Sequence, residues 1–172
     1  MRLRPSRIVF SPPMAHKRTL ANTASRESIV ARISALRPEA SRKWGKMTAH
    51  QMVCHLTDSY RSVMGERKVS PAKPTLALRL MPRPVLMWIV LDAPIKWPHN
   101  VPTRPENEQG AGGTPPAEFE DDRRELLASI ERFCSAPDSH RGPHPMMGVL
   151  SREEWMKWGY LHADHHLRQF GA

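Results

Sequence analysis

Proline decides where this chain can be helical. There are 17 prolines in 172 residues. Each one inside a helix removes a backbone donor and crowds the preceding turn, at a cost of about 3 kcal/mol or more. They are unevenly spread. Six of them fall between Pro94 and Pro116, in a stretch that also carries Gly110, Gly112 and Gly113. This reads as a long Pro/Gly-rich loop, and loops of such length inside a compact domain are functional or disordered.

Four stretches remain for main helices. Ser25 to Leu36 repeats apolar residues at Ile29, Ile33 and Leu36, and Pro38 closes it. Thr48 is placed to cap a second helix running to about Gly65, with Ala49, Met52, Val53, Leu56, Tyr60, Val63 and Met64 as its stripe. A third spans Pro116 to about Cys134, with Phe119, Leu126, Leu127, Ile130 and Phe133 on one side; Asp121 and Asp122 favour its N-terminal end. In the last, Ser151 and Glu154 form a capping box, and the helix runs to about Phe170 before the stop at Gly171. No internal repeat and no convincing strand is visible. The expected class is all-α, a helical bundle over residues 19–172. Residues 1–18 carry Pro5, Pro12, Pro13 and five basic side chains without periodicity, and read as a disordered basic arm. Met14 is a second candidate start beside Met1.

Composition narrows the function classes. Hydrophobic residues make up 40% and charged ones 25%, as in soluble globular proteins. A net charge of +9 raises nucleic acid as a partner. Its distribution argues against that: much of it lies in the arm, later charges mix signs, and no basic run is interleaved with aromatics. Cys54 and Cys134 form no zinc spacing and suit a reducing cytoplasm. No apolar segment follows the first arginines, so a secretory signal is not expected. Thr75 to Leu91 is strongly apolar, but Arg79, Pro82, Arg83 and Pro84 interrupt it. It reads as a buried, broken helix pair or a lid rather than a membrane element.

The chemistry concentrates in the last helix. At about 100° per residue, His162 and His166 share a face with Trp155, Trp158 and Gln169, while His165 lies on its flank. Two imidazoles one turn apart can reach a single cation of the Zn, Ni, Fe or Cu type. The pairing is also a common accident. It is not the zinc-protease motif, because Ala163 stands where that motif needs glutamate. A third ligand has several candidates: His50 and His55 on the second helix, His99 in the Pro-rich loop, and His140 and His144 before the last helix. The helical wheel does not choose between His50 and His55.

Two segments carry a resemblance. WGKMTAHQMVCHLTDS holds Trp44, Gly45, Met47, Gln51, Met52, His55 and Asp58, and HPMMGVLSREEWMKWGYLHADHHLRQFG closes the chain. Both resemble the DinB-like superfamily, in the branch whose members are mostly described as a domain of unknown function. The likeness covers most of residues 18 to 171. It implies a four-helix bundle of up-down-down-up course. It also implies one metal held by three histidines, which match His55, His162 and His166, with His165 and Gln169 as neighbours. His50 has no counterpart in that ligand set.

Relatives in the superfamily work with low-molecular-weight thiols, such as mycothiol, bacillithiol or glutathione. The resemblance therefore implies a metal-dependent enzyme, a thiol-dependent S-transferase or a hydrolase, acting on a small molecule, with a homodimer as the expected assembly of such a bundle. The metal expected is divalent: Zn, Ni or Fe. Three protein nitrogens leave coordination positions open, as catalytic sites do. The competing reading is a non-catalytic metal-binding or stress-related bundle protein. Asp58, one turn after His55, is placed to orient it or else is a solvated helix residue. Cys54 reads as a packing thiol, and Trp155 and Trp158 as core residues before substrate platforms. Tyr60 fits pocket or core equally. Asp164 is expected to be exposed opposite the site, and Arg168 to lie at the surface.

Overall fold

Capping residues set the helix boundaries in the computed structural model, which describes residues 18–72, 75–138 and 141–172. Nearly all of the expected N-terminal arm lies outside the described residues, as does His140. Helix α1 spans Thr23–Ala35, and Asn22 caps it by accepting from the Ser25 amide across 2.9 Å. Helix α2 spans Ala49–Val63 behind a complete capping box of Thr48 and Gln51. After the middle segment, the fifth helix, α5, spans Phe119–Ser135. It starts three residues later than Pro116 because residues up to Glu118 stay extended and the Ala117 amide turns instead to Asp122. The last helix, α6, spans Arg152–Gln169, starting with the expected Ser151/Glu154 capping box. Gly171, at φ +77°, ends it in the left-handed region that glycine adopts most easily.

These four helices are arranged around one core. Helix α2 makes its broadest contact with α5 and also touches α6, while α1 lies against both α5 and α6. Ile29 and Ile33 of α1 meet Leu56, Tyr60, Leu126, Ile130, Phe133, Trp155 and Leu167 in that core. Eleven of the 15 residues of α2 are buried, which marks it as the central helix. Tyr60 donates its hydroxyl to the Gly159 carbonyl across 2.8 Å, tying α2 to α6. Tyr60 is thus a core residue with a satisfied polar tip. Among the described residues there is no strand, only an isolated bridge between His144 and Gly148.

The middle of the chain differs from expectation. It forms two five-residue helices, α3 (Leu76–Leu80) and α4 (Arg83–Met87), and α4 continues into a π-helical turn over Trp88–Asp92. Most of the pair's apolar surface is not buried: Leu76 and Leu80 of α3 and Val85 of α4 are 69%, 75% and 46% exposed. Five residues make barely more than one turn, too short to present a continuous apolar stripe. Met87 and Leu91, one turn apart, join the core. No helix among the described residues is long and apolar enough to cross a membrane.

The Pro/Gly-rich loop is ordered against α2. Its short 3-10 turn, Pro105–Asn107, packs on that helix. Asp58 is fully buried and serves as the fastening point. It accepts from the Thr114 amide (2.7 Å), the Thr114 hydroxyl (2.6 Å) and Gln109 (3.3 Å), with the Arg67 guanidinium 3.4 Å away. Arg67 donates onward to the Glu106 and Gly112 carbonyls. Asp58 is therefore neither a solvated residue nor the partner of His55. Asp58→Ala should lower unfolding free energy by roughly 2–4 kcal/mol, because it strands buried donors. Denaturant unfolding and faster amide exchange at Thr114 check this.

Candidate metal centre

The last turns of α6 and the middle of α2 bring His55, His162 and His166 together. Their ligand-type nitrogens all lie within 4.8 Å of one another. The Nε2 atoms of His55 and His162 stand 3.4 Å apart. Two imidazole nitrogens bound at about 2.0–2.1 Å to one tetrahedral zinc would be separated by about 3.4 Å. The ring centroids are 4.8–5.4 Å apart. His55 is buried, whereas His162 and His166 each keep part of their surface accessible.

Hydrogen bonds on the far side of two rings decide which nitrogen faces the cluster. His55 Nδ1 lies 3.0 Å from the Asn107 carbonyl oxygen. A carbonyl can only accept, so Nδ1 carries the proton and Nε2 presents its lone pair. His166 Nδ1 lies 3.2 Å from Gln169 Oε1. The amide's orientation is itself fixed, because Gln169 Nε2 donates to the Trp44 carbonyl at 2.6 Å. His166 Nδ1 is again the donor, and its Nε2 is left bare. His162 is held differently. Its Nδ1 is buried with no partner among the described residues. Packing sets its ring, between Trp158 (centroids 4.8 Å) and Trp97 (6.2 Å).

Electrostatics favour the same state. Burial, opposed by the Asn107 hydrogen bond, holds the His55 pKa below the usual histidine value. Burial, then the neighbouring histidines, pushes His162 and His166 well below it. Neutral imidazoles with free lone pairs are the form that binds a metal. The donor set fits a borderline cation of the zinc, nickel or iron class better than calcium or magnesium, which prefer oxygen.

Aromatic side chains wall the cluster. Trp44 and His99 stack at 4.1 Å with planes 10° apart. His165 lies beside His166 (5.2 Å), with Trp97, Trp44 and His99 each about 6 Å from it. Its Nδ1 is also buried without a hydrogen-bond partner among the described residues, and burial brings its pKa down to about 4. Trp155 is a core residue, 1% exposed. Trp158 belongs to core and site together. Beyond Trp97 a cleft of about 280 Å³ is lined by Arg18, Lys96, Leu161, Asp164 and Arg168, outside the histidine cluster. Asp164 is not exposed as expected. It is half-buried between Arg32 (2.7 Å) and Arg168 (2.8 Å).

The remaining histidines have other work. His50 donates from Nε2 to Asp122 at 2.7 Å. Cys54 Sγ lies 3.5 Å from the same oxygen, so the thiol is more than packing. Burial, then the Asp122 charge, pushes it up to about 12, which removes it as a nucleophile near neutral pH. His144 accepts from the Met146 and Met147 amides at 3.1 and 3.2 Å and shapes the turn before α6. Sequence reasoning missed Asn107 and Trp97. A backbone carbonyl acceptor has no residue signature, and only the loop's length hinted at a role.

Fold and site define an all-helical protein with a three-histidine cluster between its central and last helices. The chain belongs to a family described as protein of unknown function (DUF1569), whose model matches residues 14–172. No curated protein and no solved structure matches it.

Two predictions test the supports. Gly45 adopts φ +82°, and a Cβ there would collide with Gln169 Nε2. Gly45→Ala should cost roughly 1–3 kcal/mol of stability, seen as a lower thermal midpoint, because it adds both strain and that clash. Burial lowers the His144 pKa from 6.5 to about 4. Its contribution to stability is complete above pH 6.5 and is lost as pH falls towards about 4, where the folded state must also protonate. His144→Asn keeps an acceptor but cannot titrate. It should flatten the fall in stability across that window, measured by denaturant titration at several pH values.

Proposed function

We propose that this chain is a DinB-like metalloenzyme whose α1, α2, α5 and α6 follow an up-down-down-up course. Its centre is one divalent ion, Zn, Ni or Fe, held by Nε2 of His55, His162 and His166. One observation carries the reading. Two of the three rings have Nδ1 tied to a carbonyl-type oxygen, at Asn107 and Gln169, which aims the opposite nitrogen inward. A histidine serving only as core filler needs one hydrogen bond and no convergence; these rings have both. Carbonyl partners behind imidazole ligands are the usual support of metal sites. The resemblance of the two terminal motifs to the DinB-like superfamily supports the same assignment.

Such an ion supplies a lowered pKa to a thiol or water beside it. The chain's own residues do the rest. Asn107 and Gln169 orient the rings, Trp97 and Trp158 exclude water around His162, and the accessible edges of His162 and His166 give a small molecule its approach. The reaction class proposed is thiol-dependent S-transfer or hydrolysis, with a low-molecular-weight thiol as cosubstrate.

A second reading, a non-catalytic metal-binding protein, is favoured by one feature. Trp97, Trp158 and the Trp44–His99 stack close much of the surroundings of the rings.

Metal analysis of purified protein beside a His162→Ala/His166→Ala variant tests the ligand set. The variant should lose one equivalent of metal relative to wild type; equal content in both contradicts the assignment. Glutathione, mycothiol and bacillithiol assayed with an electrophile then separate the two readings. Metal-dependent turnover with one of them supports the enzyme, and retained metal without turnover by any of them, or by water with ester substrates, favours the binding protein.

A further inference from the structure

A second donor cluster lies on the other side of α2. His50 and Cys54 are one turn apart on that helix, and Asp122 faces them from the first turns of α5. One nitrogen, one sulfur and one oxygen from these residues all lie within 4.8 Å of one another. We propose that His50, Cys54 and Asp122 form a second metal site, for a soft divalent cation of the zinc class, which clips α2 to α5. This site is separate from the three-histidine centre and does not depend on it.

The geometry is close to what coordination needs. For a tetrahedral zinc with Zn–S near 2.3 Å and Zn–O near 2.1 Å, sulfur and oxygen lie about 3.6 Å apart. Cys54 Sγ and Asp122 Oδ2 are 3.5 Å apart. His50 Nε2 is 2.7 Å from that oxygen and has to withdraw by about 0.7 Å to match a tetrahedral N···O separation of about 3.4 Å. The His50 N–H and the Cys54 S–H both reach the same carboxylate oxygen, so the three donor atoms are already gathered in one place. Two contacts hold the frame: the Ala117 amide donates to Asp122 at 3.0 Å, and the Phe119 ring meets the His50 imidazole edge-on at 5.3 Å.

Access and selectivity also fit. Cys54 is buried, but the side chains of His50 and Asp122 are 19% and 21% exposed, so an ion and a fourth ligand from water can enter. A mixed sulfur, nitrogen and oxygen set selects zinc-class ions over magnesium and calcium. Binding releases the Cys54 thiol proton to solvent, shifts the His50 proton from Nε2 to Nδ1 by exchange with solvent, and forms metal–sulfur, metal–nitrogen and metal–oxygen bonds in place of the two hydrogen bonds to Asp122. The bland alternative is a hydrogen-bond node in which Asp122 merely accepts from three donors. The two differ in a thiolate bond to the metal.

Cobalt(II) added alone to the full-length protein reads that bond. Titration of the His162→Ala/His166→Ala variant should give a near-ultraviolet thiolate-to-cobalt band that saturates at one equivalent. Cys54→Ser in that background should abolish the band, and Cys134→Ser should leave it. Should the histidine variant fail to fold, the same band is read in wild type, where it saturates within two equivalents because the three-nitrogen centre also takes cobalt but has no thiolate band. Absence of the band, or its loss with Cys134→Ser instead of Cys54→Ser, overturns the proposal. Failure of the three-histidine assignment would appear separately, as a metal content unaffected by the histidine substitutions.

Discussion

The Asn107 carbonyl accepts from His55 Nδ1 across 3.0 Å, and through that bond a loop far along the chain sets the chemistry of a buried ring on α2. Without a fixed acceptor, a neutral imidazole is free to place its proton on either nitrogen. With one, the lone pair has a single direction. The same logic holds at His166, where Gln169 is the acceptor and the Trp44 carbonyl fixes Gln169 in turn. The histidine cluster therefore depends on segments that contribute no ligand.

The fastening of the Pro/Gly-rich loop follows from this need. Asn107 must not drift, and several polar bonds hold its neighbourhood. Asp58 grips Thr114 and Gln109, Arg67 grips the Glu106 and Gly112 carbonyls, and Ser62 donates to the Asn107 side chain at 3.2 Å. Fully burying Asp58 would be costly if its oxygens were unpaired; here each accepts from Thr114. The prolines that deny helix to this stretch also lower the entropy lost on ordering it. A loop that looks like an interruption in the sequence thus acts as the back wall of the cluster.

Local rules were legible and remote partners were not. The Thr48 cap and the Ser151/Glu154 capping box are encoded within four residues, and the helices begin where those residues say; the structure adds Gln51 as the second half of the box at Thr48. The shared face of His162 and His166 is likewise a matter of helical pitch. The choice between His50 and His55 was invisible on the wheel, because it rests on partners 72 and 52 residues away, Asp122 and Asn107. Asp58 was misread for the same reason: its spacing from His55 suggested a local bond, while its actual partners sit in the loop. The exposure of α3 and α4 was hidden too. Apolar composition does not reveal that two short helices lack the length to bury it.

The central claim is that carbonyl partners fix His55 and His166 as Nδ1–H tautomers, so that Nε2 of each is bare and turned inward. Long-range proton–nitrogen NMR correlations of the metal-free protein at neutral pH read the tautomer of each ring directly. The account predicts protonated Nδ1 and unprotonated Nε2 for both His55 and His166. Protonated Nε2 on either ring, or rapid exchange between the two forms, would contradict it.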